Sequence, residues 1–150
     1  MKGIWFFGLS GSGKTYASNL IKIKIKNSVI IDGDKVRKYI SYDLGYTKRD
    51  RSIQIQRVLG LAILLIEQDF FPIISTVFFN NKICKICKKF KIVPLRILRS
   101  DIKFIMNSHP TYKNKKNVVG KDISYERIKT KTIINNGSKN FCKALNLSIL

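Results

Sequence analysis

The sequence predicts an α/β fold with a mostly parallel sheet and helices on both faces. Three observations carry that expectation. Apolar runs of strand length recur along the chain with helical patterns between them, the alternation a parallel sheet requires. The first run, Ile4-Trp5-Phe6-Phe7, feeds straight into Gly8-Leu9-Ser10-Gly11-Ser12-Gly13-Lys14-Thr15, which fits G-x-x-x-x-G-K-[ST]. The second run ends in Asp32-Gly33-Asp34, where an open α/β sheet presents residues to a ligand crevice. At 150 residues the chain reads as one domain, long enough to cover a sheet on both sides.

The elements follow in order. Residues 4–7 read as a buried strand, and Thr15 opens a helix that carries through Asn19. Ile21 to Lys26 alternates with period two, but Asn27-Ser28 breaks before a stronger strand, Val29-Ile30-Ile31, so this stretch reads as helix end and connector. Lys35 to Ile40 is a short helix and Ser41 to Tyr46 a loop. Thr47 with Asp50 three residues on resembles an N-cap. The long helix that follows, to about Gln68, buries a stripe of Ile55, Val58, Ala62 and Leu65. Phe71 to Thr76 is a strand, with Pro72 tolerable only near its start. Asn80 to Lys89 is a basic helix. Lys91 to Leu98 is another strand, in which Pro94 hints at an edge or a bulge, and Asp101 to Ser108 is a helix. His109 to Asp122 reads as a mobile surface loop and a candidate lid over a nucleotide. Thr132-Ile133-Ile134 is a last strand, and Ser138 caps a helix to about Asn146.

The glycine-rich stretch is a phosphate-cradling P-loop. Its glycines let backbone N–H groups turn inward with no Cβ in the way. Lys14 would then reach the β- and γ-phosphates of a nucleotide, and the Thr15 hydroxyl would hold Mg²⁺. The composition narrows the partners. There are 29 Lys+Arg against 9 Asp+Glu, a net charge of +20. That balance suits anionic partners, whether nucleotides, nucleic acid or a membrane surface. A Lys-, Ile- and Asn-heavy composition would also leave many lysines merely solvated. Asp32, Asp34, Asp43 and Asp50 crowd together in a chain so poor in acids, which suggests local tasks.

Cys84-x-x-Cys87 lacks a second CxxC, and His109 is the one histidine, so zinc is short of ligands. A reducing, cytoplasmic compartment is the default. The longest apolar run, Val58 to Ile66, falls well short of the ~20 residues of a membrane helix. No targeting segment and no membrane partner are expected. The lysine-rich 81–91 and 113–121 segments contain only Phe90 as an aromatic, which disfavours nucleic acid.

Four segments lie in a telling order: Gly8 to Thr15, Asp32-Gly33-Asp34 with Arg37, Asp43-Leu44-Gly45-Tyr46, and Asp50-Arg51 with Arg57. Lys116-Asn117-Val118-Val119-Gly120-Lys121-Asp122 adds a K-N-x-x-G-x-D stretch. Together they resemble the adenylylsulfate kinases, P-loop kinases that phosphorylate the ribose 3′-hydroxyl of adenosine 5′-phosphosulfate. The resemblance implies a five-stranded parallel sheet between helices. It also implies roles: residues 8–15 bind ATP phosphates and magnesium, and Asp34 sits by the acceptor hydroxyl and the metal. Arg37 and Arg51 hold the acceptor's anionic diester, with Asp32 and Gln54 beside it. Tyr46 stacks on the acceptor base, and Lys116 and Asn117 close over it.

The chain departs from the family on the acceptor side. Gln54-Ile55-Gln56-Arg57 stands where the family shows Asn-Ile-Arg-Arg, and Val77-Phe78-Phe79-Asn80-Asn81 replaces a Ser-Pro and Arg segment. The family's R-D-x-K-G-L-Y is not recognisable around Arg99-Ser100-Asp101. The resemblance implies a nucleotide-like small-molecule acceptor: adenylylsulfate, as in sulfate assimilation, or alternatively cytidine diphosphoramidate, the acceptor of similar proteins in surface-polysaccharide synthesis. Other classes left open are a nucleotide-binding protein without transfer activity and a nucleic-acid binder. A homodimer is a candidate assembly.

Overall fold

The computed structural model describes residues 1–124 and 126–149. Five strands run through it: β1 (Gly3–Phe7), β2 (Ser28–Asp32), β3 (Phe71–Thr76), β4 (Ile92–Arg99) and β5 (Lys131–Asn135). All pair in parallel, in the order β2-β3-β1-β4-β5. β1 is thus flanked on both sides, and each of its residues is buried, as its unbroken apolar run demands.

Alternate β1 side chains feed opposite cores. Trp5 and Phe7 pack under α3 (Lys48–Glu67) and α4 (Asn81–Lys89), together with Phe78 and Phe79. Phe79 stacks on Phe7 at 4.5 Å between centroids and meets Trp5 edge-on at 5.2 Å. Ile4 and Phe6 face the other way, toward α1 (Lys14–Lys22) and α7 (Lys139–Ile149). The sheet is therefore covered on both faces, as the sequence predicts.

Local signals explain most boundaries. Asp32 closes β2 and caps α2 (Gly33–Tyr39): its Oδ1 accepts from the N–H groups of Asp34 at 2.9 Å and Lys35 at 3.2 Å. Thr47 and Asp50 form the full capping box of α3. The hydroxyl of Thr47 also donates to Asp50, holding that carboxyl below its usual pKa range. Asn80 caps α4 through the Ile83 N–H, and the Ser138 hydroxyl accepts from Asn140 in the first turn of α7. Residues 21–26 are helix end and turn, as read: α1 stops at Lys22.

Three expectations need correction. The stretch 109–122 is not an open loop throughout. It contains α6 (Pro110–Asn114), capped by His109 with Pro110 at its first position, and a turn that buries Val118 and Val119. Pro94 lies on an interior strand, opposite Trp5. It is tolerated because the β5 pairing starts only at Leu95. The Pro94 carbonyl, on the β5 side, is met by the Thr130 hydroxyl, so the missing N–H deprives no ladder partner. α7 runs to Ile149 rather than Asn146. The remaining helix is α5 (Ile102–Ser108).

Candidate active site

The chain leaves β1 at Phe7, turns through residues 8–13 and enters α1 at Lys14. Gly8 must be glycine, because a Cβ there would run into the backbone carbonyl of Ile97 on β4. Gly13, the N-cap of α1, has φ 99°, and the Asn135 side chain fills the space its Cβ would need. Asn135 Nδ2 donates to the Ser12 carbonyl at 2.9 Å, and the Tyr112 hydroxyl donates to the Ser10 carbonyl at 3.2 Å. Lys14 Nζ donates to the Leu9 carbonyl at 2.8 Å. The carbonyls of Leu9, Ser10 and Ser12 are thus all engaged by side-chain donors.

Lys14 is only 9% exposed. Burial pushes its ammonium pKa down from 10.5 to about 8, against the opposing pull of Asp34 and Asp32. Those carboxylates belong to the head of α2. They line a cavity of about 500 Å³ together with Ser10, Gly11, Gly13, Lys14 and Thr15. Gly8, Leu9 and Ser12 do not line it. Ser12 Oγ is buried with no hydrogen-bond partner among the described residues, and Leu9 packs against Gly120.

A second cavity, of about 660 Å³, adjoins the first and shares Ser10, Asp34, Arg37, Tyr46 and Arg51 with it. Lys38, Lys116 and Asn117 are on its wall. Arg37 donates to the carbonyls of Gly45 at 2.5 Å and Leu44 at 3.3 Å, and its guanidinium lies 4.7 Å from the centre of the Tyr46 ring. Arg51 donates to the Tyr46 carbonyl at 3.2 Å and to the Asn117 carbonyl at 2.8 Å, and lies 5.5 Å from the same ring. Both arginines are held in place by backbone carbonyls, and Tyr46 is the aromatic they share.

Gln54 is 4% exposed and lines the first cavity. Its Nε2 donates to the Gly33 carbonyl at 3.0 Å, which fixes the amide orientation and leaves Oε1 buried without a partner among the described residues. Arg57, grouped with these residues in sequence, is instead bound in a two-point ion pair with Asp43 at 2.5 and 2.8 Å. Hydrogen bonding from Arg57 lowers the Asp43 pKa. Ser75 and Thr76 border the first cavity, but Thr76 Oγ1 already accepts from Trp5 Nε1 at 2.8 Å and donates to the Phe78 carbonyl at 2.9 Å.

Sequence reasoning missed several residues. His109 and Thr111 line the first cavity, with His109 Nδ1 accepting from the Thr111 N–H. Tyr112 and Asn135 brace the glycine-rich loop. Asn135 could have been flagged by the rule that singled out Asp32, since both end a strand at the ligand edge. Tyr112 left no signal. Cys84 and Cys87 are buried in α4, and burial pushes the Cys87 thiol up to about 12. Among the described residues no group of three or more His, Cys, Asp or Glu is placed to hold a metal.

Comparison with known proteins adds to this geometry. The family model described as adenylylsulphate kinase matches residues 2–109. The adenylyl-sulfate kinase of Paraburkholderia xenovorans (strain LB400) is 35% identical over 78 residues, 49% of this chain and 44% of that protein. The bifunctional enzyme NodQ of Rhizobium sp. (strain N33) is 41% identical over 75 residues, 47% of this chain and 12% of that protein. The chain thus spans less than half the length of these curated relatives. Among solved structures, the Mycobacterium tuberculosis APS kinase CysC in complex with AMPPNP and APS superposes with a TM-score of 0.80 at 20% identity, covering 98% of this chain and 95% of that one. A loop built for phosphate, a neighbouring wall of arginines and a family match over most of the sequence agree: the chain belongs to the adenylylsulphate kinase family.

Proposed function

We propose that the chain transfers the γ-phosphate of ATP to the ribose 3′-hydroxyl of adenylylsulfate. One observation carries this reading: the P-loop cavity and the arginine-walled cavity abut and share Asp34, Arg37 and Arg51. A donor in one and an acceptor in the other meet beside a carboxylate.

Within the loop of residues 8–15, Ser10, Gly11, Gly13, Lys14 and Thr15 line the cavity and bind the triphosphate, while Gly8, Leu9 and Ser12 shape the turn. With the carbonyls of Leu9, Ser10 and Ser12 engaged, an incoming anion meets N–H groups rather than repelling oxygens. Lys14 offsets charge on the β/γ oxygens, and a phosphate near it raises its pKa from about 8, keeping it protonated. The oxygen donors present suit Mg²⁺, which favours hydroxyl, carboxylate and phosphate oxygens over an all-protein cage. Thr15, with Asp34 or Asp32 nearby, would hold it, and when bound it offsets negative charge on the phosphates.

Asp34 orients the acceptor hydroxyl and takes its proton as the new O–P bond forms and the bond to ADP breaks. Arg37 and Arg51, already aligned, bind the acceptor's anionic groups. Tyr46 borders the base, and Gln54, on the wall of the P-loop cavity, stands beside the acceptor where the two cavities meet. Asp32 acts through its cap, which fixes the first turn of α2 and so Asp34. Lys116 and Asn117 close the site, with residues 109–122 as its lid within a single kinase domain. The ATP requirement fits a cytoplasmic enzyme.

The test is ADP release with adenylylsulfate, cytidine diphosphoramidate or no acceptor. Turnover that needs adenylylsulfate and disappears in Lys14→Ala supports the reading. Acceptor-independent hydrolysis, or a clear preference for cytidine diphosphoramidate, would sink it.

A further inference from the structure

The positive charge is purest at the end of the molecule away from the cleft. Because the strands are parallel, all five begin at one edge, and α1, α3, α4 and α7 return to it. Of the Asp and Glu side chains among the described residues, only Glu67 and Asp69, at the exit of α3, lie there. Asp32 and Asp34 line the cleft, Asp43 pairs with Arg57, and Asp50 caps the head of α3. Asp101 follows β4, Asp122 bonds to Val118, and Glu126 bonds to Asn81 at the head of α4.

Exposed lysines collect at the strand-start edge. Lys22, Lys24 and Lys26 leave α1, Lys88 and Lys89 end α4, and Lys131 opens β5. Lys2 joins them, its N–H bonded to the Lys91 carbonyl at 2.8 Å.

Aliphatic side chains stand uncovered among these lysines. Ile23 is 85% exposed and Leu147 75%. Lys24 Nζ donates to Asn146 Oδ1 at 2.6 Å, which sets the exit of α1, with Ile23, beside the last turns of α7, with Leu147. Met1 and Phe70 are exposed at the same edge. A merely solvated lysine surface gives no reason for exposed Ile and Leu to gather within it. A nucleic-acid surface would favour arginine forks and stacking aromatics, and here lysine supplies the charge and Phe70 is the exposed aromatic. Ammonium groups around protruding aliphatic chains match the chemistry of a bilayer interface rich in anionic headgroups.

We propose that this edge docks on an anionic lipid bilayer. Ile23 and Leu147 seat at headgroup depth, the surrounding lysines meet lipid phosphates, and the cleft opens on the opposite side. The sequence expectation of no membrane partner rested on the lack of a long apolar run, and surface docking needs none. The inference stands apart from the kinase reading.

The test is co-sedimentation of the full chain with vesicles of phosphatidylglycerol and phosphatidylcholine, against phosphatidylcholine alone, at low and moderate salt. Binding is expected only with phosphatidylglycerol, weakening as salt rises. Each lysine near the surface contributes roughly fivefold to partitioning. Lys22→Gln, Lys26→Gln and Lys89→Gln combined should therefore weaken it about a hundredfold. Ile23→Ser with Leu147→Ser should remove the binding that survives moderate salt. All five positions are exposed, so unchanged circular dichroism melting is the folding control. The proposal is overturned by absent or lipid-independent binding, by unchanged binding in the lysine variant, or by tight binding to a single-stranded RNA oligonucleotide with none to vesicles.

Discussion

Replacing Lys14 with methionine should stabilise the protein while ending phosphoryl transfer. Lys14 is nearly buried, and its pKa falls from 10.5 to about 8 chiefly through loss of hydration. A fall of that size means that the fold disfavours the charged form by about 3 kcal/mol. Methionine fills similar space without charge. It also strands the Leu9 carbonyl that Nζ now satisfies, a loss of about 1–2 kcal/mol. The net expectation is a gain of about 1–2 kcal/mol at pH 7.

The sign of its pH dependence is fixed. Below pH 8 folded and unfolded chains both hold the proton, and the full penalty applies. Between pH 8 and 10.5 only the unfolded chain holds it, so the parent gains stability as pH rises and the methionine variant lacks that gain. The advantage of the variant should shrink, then reverse, toward pH 10.5. Urea titrations at pH 7 and pH 10, followed through the single, fully buried Trp5, measure both effects. A variant less stable than the parent at pH 7, or a difference that does not move with pH, would refute the reasoning.

Four further outcomes are expected. Asp34→Asn should lower kcat by about 10²- to 10⁴-fold, with ATP affinity, read by calorimetry, close to the parent's; equal losses in both would mark a binding role. Arg51→Lys breaks a bridge between the Tyr46 and Asn117 carbonyls, and steady-state kinetics should show a higher KM for adenylylsulfate with the KM for ATP unchanged. Asn135→Ala leaves the Ser12 carbonyl unpaired in a buried place and should cost about 1–3 kcal/mol in a denaturant melt, with a weaker affinity for ATP than for acceptor. With a thiol reagent at pH 8, half-buried Cys142 should react well before buried Cys84 and Cys87, the last with its pKa near 12; simultaneous release of all three would contradict the packing of α4.

Where the sequence was legible, local chemistry decided the outcome. β1 reads as a buried strand because residues 4–7 are apolar without a break, and both faces of the sheet need them. The capping box of Thr47 and Asp50 set the start of α3, and Gly8 and Gly13 sit where a side chain would collide. Asp32, Asp34, Arg37 and Arg51 reached one cleft because strand ends converge there. What stayed hidden depends on contacts distant in sequence. Pro94 suggested an edge because a lone sequence cannot say where β5 begins its pairing. α6 was lost in a polar stretch whose helical content rests on His109, Pro110 and the burial of Tyr112. Arg57 stands near Arg51 in the family-like series, and only the fold brings Asp43 to it across 14 positions.

The brace behind the glycine-rich loop bears on the order in which the protein is assembled. Leu9, Ser10, Gly11 and Ser12 are backed by Gly120, Tyr112, Ile105 with His109, and Asn135. None of these supports exists until residues 105–135 have left the ribosome. The glycine-rich stretch is therefore translated well before residues 105–135 can hold it in its final shape, and a nascent chain released between the two would carry the motif without a firm grip on nucleotide.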